Sequence, residues 1–564
     1  MKKREKRQPQ LDANGNRKFG ILDKLAYAAG DLGCNMSFGL KSTVQTFWLI
    51  YMAMETGILS ALLLVVQIWD AINDPIIGTI IDSDKRRYKL GKFKTYILIG
   101  AIGLIVGGAM VFLPFPKADL WLKCVLFILG YIVWDAAYTM ANVPYGSMLS
   151  LVTEDASERA QLSTWRSIGS MLGNILPGVL LPFLIWKNEV DAAGNPIINP
   201  ETGKQVQTLL GDRVFLAALI MGVLGFVCFI FMIKGITVRA DEYSVKTQEG
   251  GGKFNVGKAF VNFMKNRPAV GATVAAMGMF LGMQSATTAN TVMFATYFGK
   301  AEMSGLVMAI GFLPMFVFMP FVKKLVDKFG KKEASTVGTL VSVLGGVVMM
   351  IFPAIENTNA ALAVYMVALV LFGLGMGFYT CVSWALMGDA IDYNEWKTGQ
   401  REEGTVYSLH SFFRTLAQGV GPSLVLLIMG ALGYVSALGT EGQSFETSHN
   451  MCWLVAGLYL FSAVVQFLGI GVIYNIDKKT LAKMTEELQE QRKQAAELQE
   501  QENNEAVDTE NVESTETENL EGNVDGENTE NLEENCECCD IPEPETPDFP
   551  AIDFPEVEFP SEDK

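Results

Sequence analysis

Long apolar stretches follow one another along most of this chain of 564 residues. A helix needs about 20 apolar residues to cross the hydrocarbon core of a bilayer, which is about 30 Å thick. Twelve stretches reach that length, and they cover approximately residues 25–53, 57–82, 93–115, 120–150, 159–187, 212–236, 268–298, 302–326, 335–355, 359–389, 404–436 and 450–475. The sequence therefore predicts an all-α membrane protein with twelve transmembrane helices.

The composition agrees with a membrane protein, but the net charge has to be divided between two parts of the chain. Half of the residues are hydrophobic, and the formal net charge is −17. Residues 501–564 alone carry −22, so residues 1–500 are at about +5. The acidic balance therefore belongs to the C-terminal segment and gives no information about the charge of a ligand.

Basic residues predict the orientation of the helices. They cluster before the first helix, after the second, in the centre of the chain and after the eighth. With twelve helices, all four clusters fall on one side, which the positive-inside rule makes cytoplasmic. We expect a multi-pass protein of the cell membrane with both termini in the cytoplasm.

An internal repeat divides the membrane body into two halves. The second helix leads into Asp82 and a basic loop, and the eighth leads into Asp327 and a similar loop. The predicted organisation is a basic N-terminus (1–24), a six-helix bundle (25–236), a central cytoplasmic loop (237–267), a second six-helix bundle (268–476), a solvated helix (477–505) and an acidic, disordered tail (506–564).

The acidic tail carries three clustered thiols, those of Cys536, Cys538 and Cys539. Without a second cluster they are weak evidence for a metal site. The tail is a possible docking segment for an unknown protein partner. His410 and His449 are too few and too far apart in sequence for a histidine metal site.

Two carboxylates inside the second predicted helix are the most informative polar residues. Gln67, Asp70 and Asp74 are spaced at i, i+3 and i+7, so they share one face of the helix. Ionisable groups at membrane depth are costly and indicate function. Asp70 and Asp74 can share a bound cation such as Na⁺ or a proton, or they can cap the helix and pair with a basic residue.

The fourth predicted helix carries a second polar stripe. Asp135, Tyr138, Thr139, Asn142 and Gly146 fall on one broad face. Hydroxyl and amide groups of this kind can hydrogen-bond a sugar in a cavity. The alternative is polar packing between helices of the bundle.

Further polar residues occur in other predicted helices. Arg166 follows Trp165, and a buried Arg needs an anionic or hydroxyl-rich partner. Asp31 and Asn35 lie one turn apart in the first helix. The remaining candidates are Ser170, Asn174, Gln284, Thr288, Thr291, Trp396, Lys397, Tyr407, Ser411, Arg414 and Gln418.

Five motifs make the sequence resemble the glycoside-pentoside-hexuronide:cation symporters, the family of melibiose permease, within the major facilitator superfamily. The resemblance spans roughly residues 24–476. The motifs are GDLGCN at 30–35, WDAINDP at 69–75, YTMANVPYGS at 138–147, ERAQLSTWR at 158–166 and GDAIDYNEWKTGQREEG at 388–404. The resemblance implies the major facilitator fold, with two pseudo-symmetric six-helix bundles.

The resemblance also implies a function and a set of site residues. The expected function is symport of a glycoside, pentoside or hexuronide with Na⁺, Li⁺ or H⁺ by alternating access, without a cofactor. Cation ligands are expected at Asp70, Asp74 and Thr139, with Asn142 beside them. Sugar contacts are expected at Asn35, Asn142, Arg166 and Lys397, to which the polar stripes add Asp31, Asp135, Tyr138 and Trp165.

The sequence departs from melibiose permease at three of these positions. Asn35 and Asn142 stand where that carrier has aspartates, and Gly146 stands where it has tryptophan. The lost carboxylates leave Arg166 and Lys397 less compensated, which favours an anionic sugar. A neutral glycoside fits instead if Asp31 and Asp135 supply the balancing charge.

Two other classes of function were weighed against transport. A membrane sugar sensor that signals through its cytoplasmic tail is the alternative. An enzyme is not expected, because the sequence has no phosphate-binding glycine loop and no nucleophile paired with a base. Nothing in the sequence favours nucleic-acid binding.

Overall fold

The computed structural model describes residues 17–84, 86–153, 155–239, 256–318, 321–399 and 403–491. The predicted disordered tail, its three clustered thiols, most of the basic N-terminus and residues 240–255 of the central loop lie outside the described residues. The five cysteines in the described part are free thiols.

The described chain is almost entirely helical. The first half contains α1 (Ile21–Phe38), α2 (Lys41–Thr46), α3 (Thr56–Ser83), α4 (Lys92–Val111), α5 (Leu120–Val152), α6 (Ala156–Ile185), a hairpin of β1 (Trp186–Asn188) and β2 (Gln207–Leu209), and α7 (Gly211–Gly235). The second half contains α8 (Val256–Lys265), α9 (Arg267–Met293), α10 (Ser304–Phe318), α11 (Val322–Phe329), α12 (Lys331–Met349), α13 (Thr358–Thr398), α14 (Glu403–Ala431) and α15 (Phe445–Phe467).

Ten helices of the described part are long and apolar enough to cross a membrane. The other two predicted spans are interrupted. The first divides into α1 and α2 at Gly39 and Leu40 and continues as a π-helical turn from Phe47 to Tyr51. The eighth is described as α10 and α11, with a turn at Phe321 before α11, and residues 319–320 lie outside the described residues.

Each half of the chain forms its own bundle of helices. In the first, α1 packs on α6 and α7, and α4 and α7 pack on each other while α5 packs on α3 and α4. In the second, α9 packs on α14 and α15, and α13 packs on α10 and α12. The bundles meet where α3 packs on α14, α6 on α10 and α2 on α9.

The internal repeat is visible in backbone conformation. Gly91 precedes α4 with φ 91° and ψ 155°, and Gly330 precedes α12 with φ 100° and ψ 155°. Each glycine is followed by a lysine that begins the helix, Lys92 and Lys331. Lys331 pairs with Asp389 of α13 at 2.6 Å. The turn from loop to helix therefore has the same backbone conformation in both halves. This conformation is almost restricted to glycine.

We expect the substitution Gly91→Ala to destabilise the protein by about 1–3 kcal/mol, because a Cβ is strained in this region of backbone conformation. Thermal unfolding in detergent measures the effect. Gly57→Ala in α3 is the matched control, since no atom lies within 4 Å of its Cβ position. Equal unfolding midpoints for the two variants would contradict the prediction.

The loop between α3 and α4 is held by one carboxylate. Asp84 accepts hydrogen bonds from the hydroxyl of Tyr88 at 2.6 Å, the backbone N–H of Arg86 at 2.9 Å and the hydroxyl of Tyr96 at 2.7 Å. These donors, led by Tyr88, lower the pKa of Asp84 to about 2. The carboxylate therefore stays charged throughout the physiological pH range, and its contribution to stability disappears only as the pH falls towards 2.

Hydrogen bonds join the two bundles at the end away from the basic loops. Ser60 donates to the carbonyl of Ser423 at 2.8 Å. Thr440 donates to the carbonyl of Gln207 in β2 at 2.7 Å. The side chain of Asn199, between the two strands, donates to the carbonyl of Glu441 at 2.5 Å. The structure is therefore closed at this end.

Three elements differ from what the sequence led us to expect. The β-hairpin and α8 were both expected to be loop. The segment after residue 477 is helical over 478–491, but it is not solvated on every side, because Met484 and Leu488 are buried. Trp396 at the end of α13 donates to the carboxylate of Glu487 in this segment at 2.6 Å.

Candidate functional site

A cavity of about 850 Å³ lies between the two bundles. Its first-bundle wall includes Asp31, Asn35, Tyr138, Asn142 and Arg166. All five were singled out in the sequence. The volume is within the range of pockets that hold small molecules.

Polar side chains of α1 and α6 form a connected network on this wall. Arg166 Nε donates to Asp31 Oδ1 at 3.2 Å, and Asn35 donates to Asp31 Oδ2 at 3.1 Å. Asn174 donates to Asn35 Oδ1 at 2.8 Å. Asp31 is buried and balances the charge of Arg166. The guanidinium also lies 5.2 Å from the ring centroid of Tyr145.

The opposite wall carries an arginine that forms no ion pair with a carboxylate in the part of the chain that the structure describes. Arg414 of α14 lies with its Cζ 5.0 Å from the ring centroid of Trp384 and 5.6 Å from that of Phe280. Its Nε is buried and has no hydrogen-bond partner within the described part of the chain. Within the described residues, Arg166 is thus paired with a carboxylate, whereas the buried Nε of Arg414 is left without a partner.

Of the other second-half candidates, Gln284, Thr291, Tyr407 and Gln418 also line the cavity. Thr288 instead donates to Gln45 of α2. The two histidines have structural contacts, because His410 bonds to Thr273 at 2.9 Å and His449 to the carbonyl of Pro353 at 2.7 Å.

A cluster of carboxylates lies between α3 and α5. Thr139 donates to Asp74 Oδ1 at 2.7 Å, and Gln67 donates to Asp70 Oδ2 at 3.3 Å. The amide of Asn73 donates to Asp135 Oδ2 at 3.3 Å and to Thr139 Oγ1 at 3.0 Å. Asp74 and Asp135 are thus joined through Thr139 and Asn73, and Asp70 lies one turn from Asp74 on α3 with Gln67 as its partner. We call Asp70, Asp74 and Asp135 the carboxylate cluster.

Access to the carboxylate cluster is uneven. The side chain of Asp74 is exposed and that of Asp70 half-buried, whereas Asp135 is 2% exposed. Asp135 Oδ1 has no hydrogen-bond partner among the described residues. Within the same residues, no set of three or more His, Cys, Asp or Glu side chains has the arrangement of a metal site. What the cluster offers is a mixed set of carboxylate, amide and hydroxyl oxygens, which suits a monovalent ion or a proton.

Lys41 at the start of α2 lies beside the wall of the cavity. Its Nζ lies 4.9 Å from the ring centroid of Phe38, which lines the cavity. Phe38 packs against Tyr138, with 6.0 Å between ring centroids.

Three predicted sugar contacts, Asp135, Trp165 and Lys397, do not line the cavity. Trp165 is half-buried, although its neighbour Arg166 lines the cavity. Lys397 is exposed at the end of α13, where its Nζ lies 3.9 Å from the ring centroid of Trp396. Asn142, predicted beside both the cation and the sugar, lines the cavity.

Sequence reasoning missed Asn73 and Lys41. Asn73 belongs to the WDAINDP motif and lies between the two aspartates, so its position next to them was available as a signal. Lys41 is the sole lysine of the first predicted span, residues 25–53. A charged residue within an apolar stretch is the signal that identifies it.

Comparison with known proteins identifies the relatives of this chain. The family described as "MFS/sugar transport protein" matches residues 26–478. The "Uncharacterized symporter YjmB" of Bacillus subtilis (strain 168) is 28% identical, with 84% of this chain and 96% of that protein covered. The "Glucuronide carrier protein homolog" of Escherichia coli (strain K12) is 27% identical, with 73% and 84% covered.

The fold also matches solved transporters. The crystal structure of a mutant form of the nucleoside transporter NupG superimposes with a TM-score of 0.52 at 14% identity. It covers 80% of this chain and 99% of the NupG chain. At this identity the likeness concerns the fold alone.

Proposed function

Because the chain belongs to the MFS/sugar transport protein family, as the glycoside-pentoside-hexuronide:cation symporter motifs indicate, we propose that it couples sugar uptake to a monovalent cation. The fold is the major facilitator fold, and the protein is a multi-pass membrane transporter and not an enzyme. The cation is Na⁺ or H⁺, and the sugar is a glycoside, pentoside or hexuronide.

One observation carries the coupling proposal, and it is the position of the carboxylate cluster beside the cavity. Tyr138 lines the cavity, and the next residue, Thr139, bonds to Asp74. An ion bound at Asp70 and Asp74 would therefore act on Thr139, whose neighbour Tyr138 lines the proposed sugar cavity. Coupling requires such proximity, because each ligand must change the affinity for the other.

The polar walls of the cavity support a sugar as the substrate. Asn35, Asn142, Arg166, Asp31 and Tyr138 supply amide, guanidinium, carboxylate and hydroxyl groups to one side of it. We assign Lys397 and Trp165 no direct contact in this conformation. Asp135 belongs with the ion and not with the sugar, since its partner is Asn73.

Arg414 favours an anionic sugar, such as a hexuronide, over a neutral one. Asp31 balances Arg166, whereas the Nε of Arg414 has no hydrogen-bond partner in the described part of the chain. A carboxylate or another anion on the sugar would supply the acceptor that Arg414 lacks. A relative named as a glucuronide carrier homolog is in line with an anionic sugar.

Transport would proceed by alternating access in the cell membrane, with both termini in the cytoplasm. The bundles are hydrogen-bonded at the end away from the basic loops. If the basic loops are cytoplasmic, this conformation is inward-facing. The closed end would open as the bundles rock around the central site.

Counterflow in proteoliposomes tests the proposed function. The purified protein is reconstituted into proteoliposomes. Each preparation is loaded with one unlabelled sugar from a panel of glucuronides, galacturonides and neutral pentosides and glycosides. Its exchange for labelled sugar outside the vesicles is followed. We expect exchange of at least one anionic sugar, and accumulation of it when a Na⁺ or H⁺ gradient is imposed. Exchange without any gradient-driven accumulation would contradict coupling, and no exchange of any sugar would contradict sugar transport.

A further inference from the structure

The segment between α6 and α7, residues 186–209, belongs to the first bundle in sequence but is bonded to the second. Its strands β1 and β2 lie side by side where the chain leaves α6 and enters α7, with Trp186 opposite Leu209. Between the strands, the backbone N–H of Ile197 bonds to the carbonyl of Glu189 at 3.1 Å. The segment is therefore an ordered unit, and we call residues 186–209 the hairpin segment.

Gln207 of β2 fastens the hairpin segment to the second bundle. It is 1% exposed, and its side-chain Nε2 donates to Glu302 Oε2 at 2.5 Å and to Asn188 Oδ1 of β1 at 2.6 Å. Its side-chain oxygen accepts from the backbone N–H of Ala301, and its carbonyl accepts from the hydroxyl of Thr440 at 2.7 Å. Three of these four hydrogen bonds thus join the two bundles.

Two other residues of the hairpin segment also reach the second bundle. Lys204 Nζ donates to Thr358 Oγ1 at the start of α13 at 2.8 Å. Asn199 donates to the carbonyl of Glu441 at 2.5 Å. The contacts therefore fall before α10, at the start of α13 and between α14 and α15. Since these three places lie at the end away from the basic loops, the hairpin segment has to be released before that end can open.

The base of the hairpin segment forms one end of the cavity. Trp186 lines the cavity together with Ser304 and Val307 of α10. The two bundles approach each other closely at this place, since a Cβ on Gly305 would lie 2.6 Å from the carbonyl oxygen of Val179 in α6. A sugar bound in the cavity would therefore lie beside the base of the hairpin segment.

We propose that the hairpin segment is the extracellular gate of the carrier and that Gln207 holds this gate closed. The inference rests on the proposed function, in which the two bundles rock around the central site. When the gate opens, the bonds of Gln207 to Ala301, Glu302 and Thr440 break, and water replaces them. These bonds therefore stabilise the closed form alone. Gln207 is a positioning residue, because it does not line the cavity and acts on how often the cavity opens to the outside.

Replacement of Gln207 by leucine should shift the equilibrium towards the outward-open form about 30-fold, which corresponds to about 2 kcal/mol. Leucine is similar in size, but it leaves the N–H of Ala301 and the carboxylate of Glu302 without this partner in the closed form. Ala301 is fully buried there. In the open form both groups reach water, so the loss falls on the closed form.

Modification of a cysteine in the cavity by a reagent added outside measures this shift. Val307→Cys places a thiol on the cavity wall at a position that is 3% exposed. Right-side-out membrane vesicles are treated with a membrane-impermeant maleimide, and the chain without the introduced cysteine is treated in parallel. We expect the thiol to react about 30-fold faster when Gln207→Leu is added. An unchanged rate would overturn the proposal.

Thr208→Val is the matched control on the same strand. The hydroxyl of Thr208 donates to Glu189 Oε1 at 2.5 Å, so its bond lies within the hairpin segment and does not join the bundles. We expect the cavity thiol to react within about threefold of its rate in the chain that keeps Thr208. An equal acceleration in Thr208→Val and Gln207→Leu would overturn the proposal, because loosening of the hairpin segment would then explain both results.

A cross-link tests the gate while Gln207 is kept. The Cβ of Lys204 lies 3.0 Å from the position that a Cβ would take on Gly299, close to the separation of about 3.5–4.5 Å in disulfides. Oxidation of Lys204→Cys/Gly299→Cys should abolish sugar counterflow, and a reductant should restore it. Lys204→Cys alone controls for the oxidant. Counterflow that continues in the cross-linked protein would show that the hairpin segment need not leave the second bundle, and the proposal would be overturned.

The two kinds of assay separate this inference from the function on which it rests. Modification of the cavity thiol requires no sugar. Normal counterflow together with an unchanged rate of modification in Gln207→Leu would refute the gate alone. The absence of counterflow for every sugar in the unmodified chain would refute the proposed function.

Discussion

Substitution of Asp74 by asparagine is expected to reduce ion-driven accumulation of sugar about 100-fold or more while sugar counterflow continues. The carboxylate accepts the hydrogen bond of Thr139 at 2.7 Å and is exposed on α3. An asparagine keeps the size of the side chain and an acceptor oxygen, but it removes the negative charge that holds the ion. Accumulation is measured in proteoliposomes under an imposed Na⁺ or H⁺ gradient.

The same loss of accumulation is expected for Asp70→Asn, whose carboxylate lies one turn away and accepts from Gln67. Asp119→Asn is the matched control, because Asp119 is exposed and its side chain makes no capping bond at the start of α5. Gradient-driven accumulation that survives both Asp70→Asn and Asp74→Asn would show that these carboxylates do not couple the ion to the sugar.

The spacing of polar residues within one helix proved a reliable guide to which side chains meet. The second predicted helix places Gln67 and Asp70 on one face, and they are hydrogen-bonded in the structure. Arg166, Ser170 and Asn174 share a face of α6 and all line the cavity. These relations depend only on 3.6 residues per turn, so a sequence suffices to find them.

The polar stripe predicted on the fourth helix divides into two strips that face different parts of the structure. Asp135 and Thr139 lie one turn apart and face α3, where Asn73 bonds to both. Tyr138 and Asn142 lie one turn apart on an adjacent strip and face the cavity. The sequence shows both strips, but it does not show that different neighbours pack against them.

Contacts between distant segments could not be predicted from spacing. The pairing of Arg166 with Asp31 joins residues 135 positions apart, and it decides that Arg166 is compensated. The bonds that join Asn73 and Asp74 of α3 to Thr139 of α5 likewise link residues more than 60 positions apart. The hairpin of β1 and β2 was missed because its strands have three residues each.

Substitution of Arg414 by glutamine is expected to raise the KM for an anionic sugar at least about 30-fold while the KM for a neutral glycoside changes little. Truncating one partner of a buried, hydrogen-bonded charge pair costs about 2–5 kcal/mol. Trp384 and Phe280 hold the guanidinium from the sides. Its buried Nε has no acceptor within the described part of the chain. Arg414 is therefore the cationic partner of the anionic group of the sugar, and the substitution to glutamine removes that positive charge.

Initial rates of counterflow for a uronide and for a neutral glycoside of the same ring size measure the effect. Arg414→Lys keeps the charge but loses the planar fork, so we expect it to retain part of the preference for the anion. Arg213→Gln, at an exposed position of α7, controls for the loss of one positive charge. An equal rise in KM for both sugars would contradict recognition of the anion and would show that Arg414 maintains the shape of the cavity. A rise confined to the uronide would show that the second bundle recognises the charge of the sugar. The first bundle, in which Asp31 and Arg166 are already paired, would then contact the hydroxyl groups of the sugar.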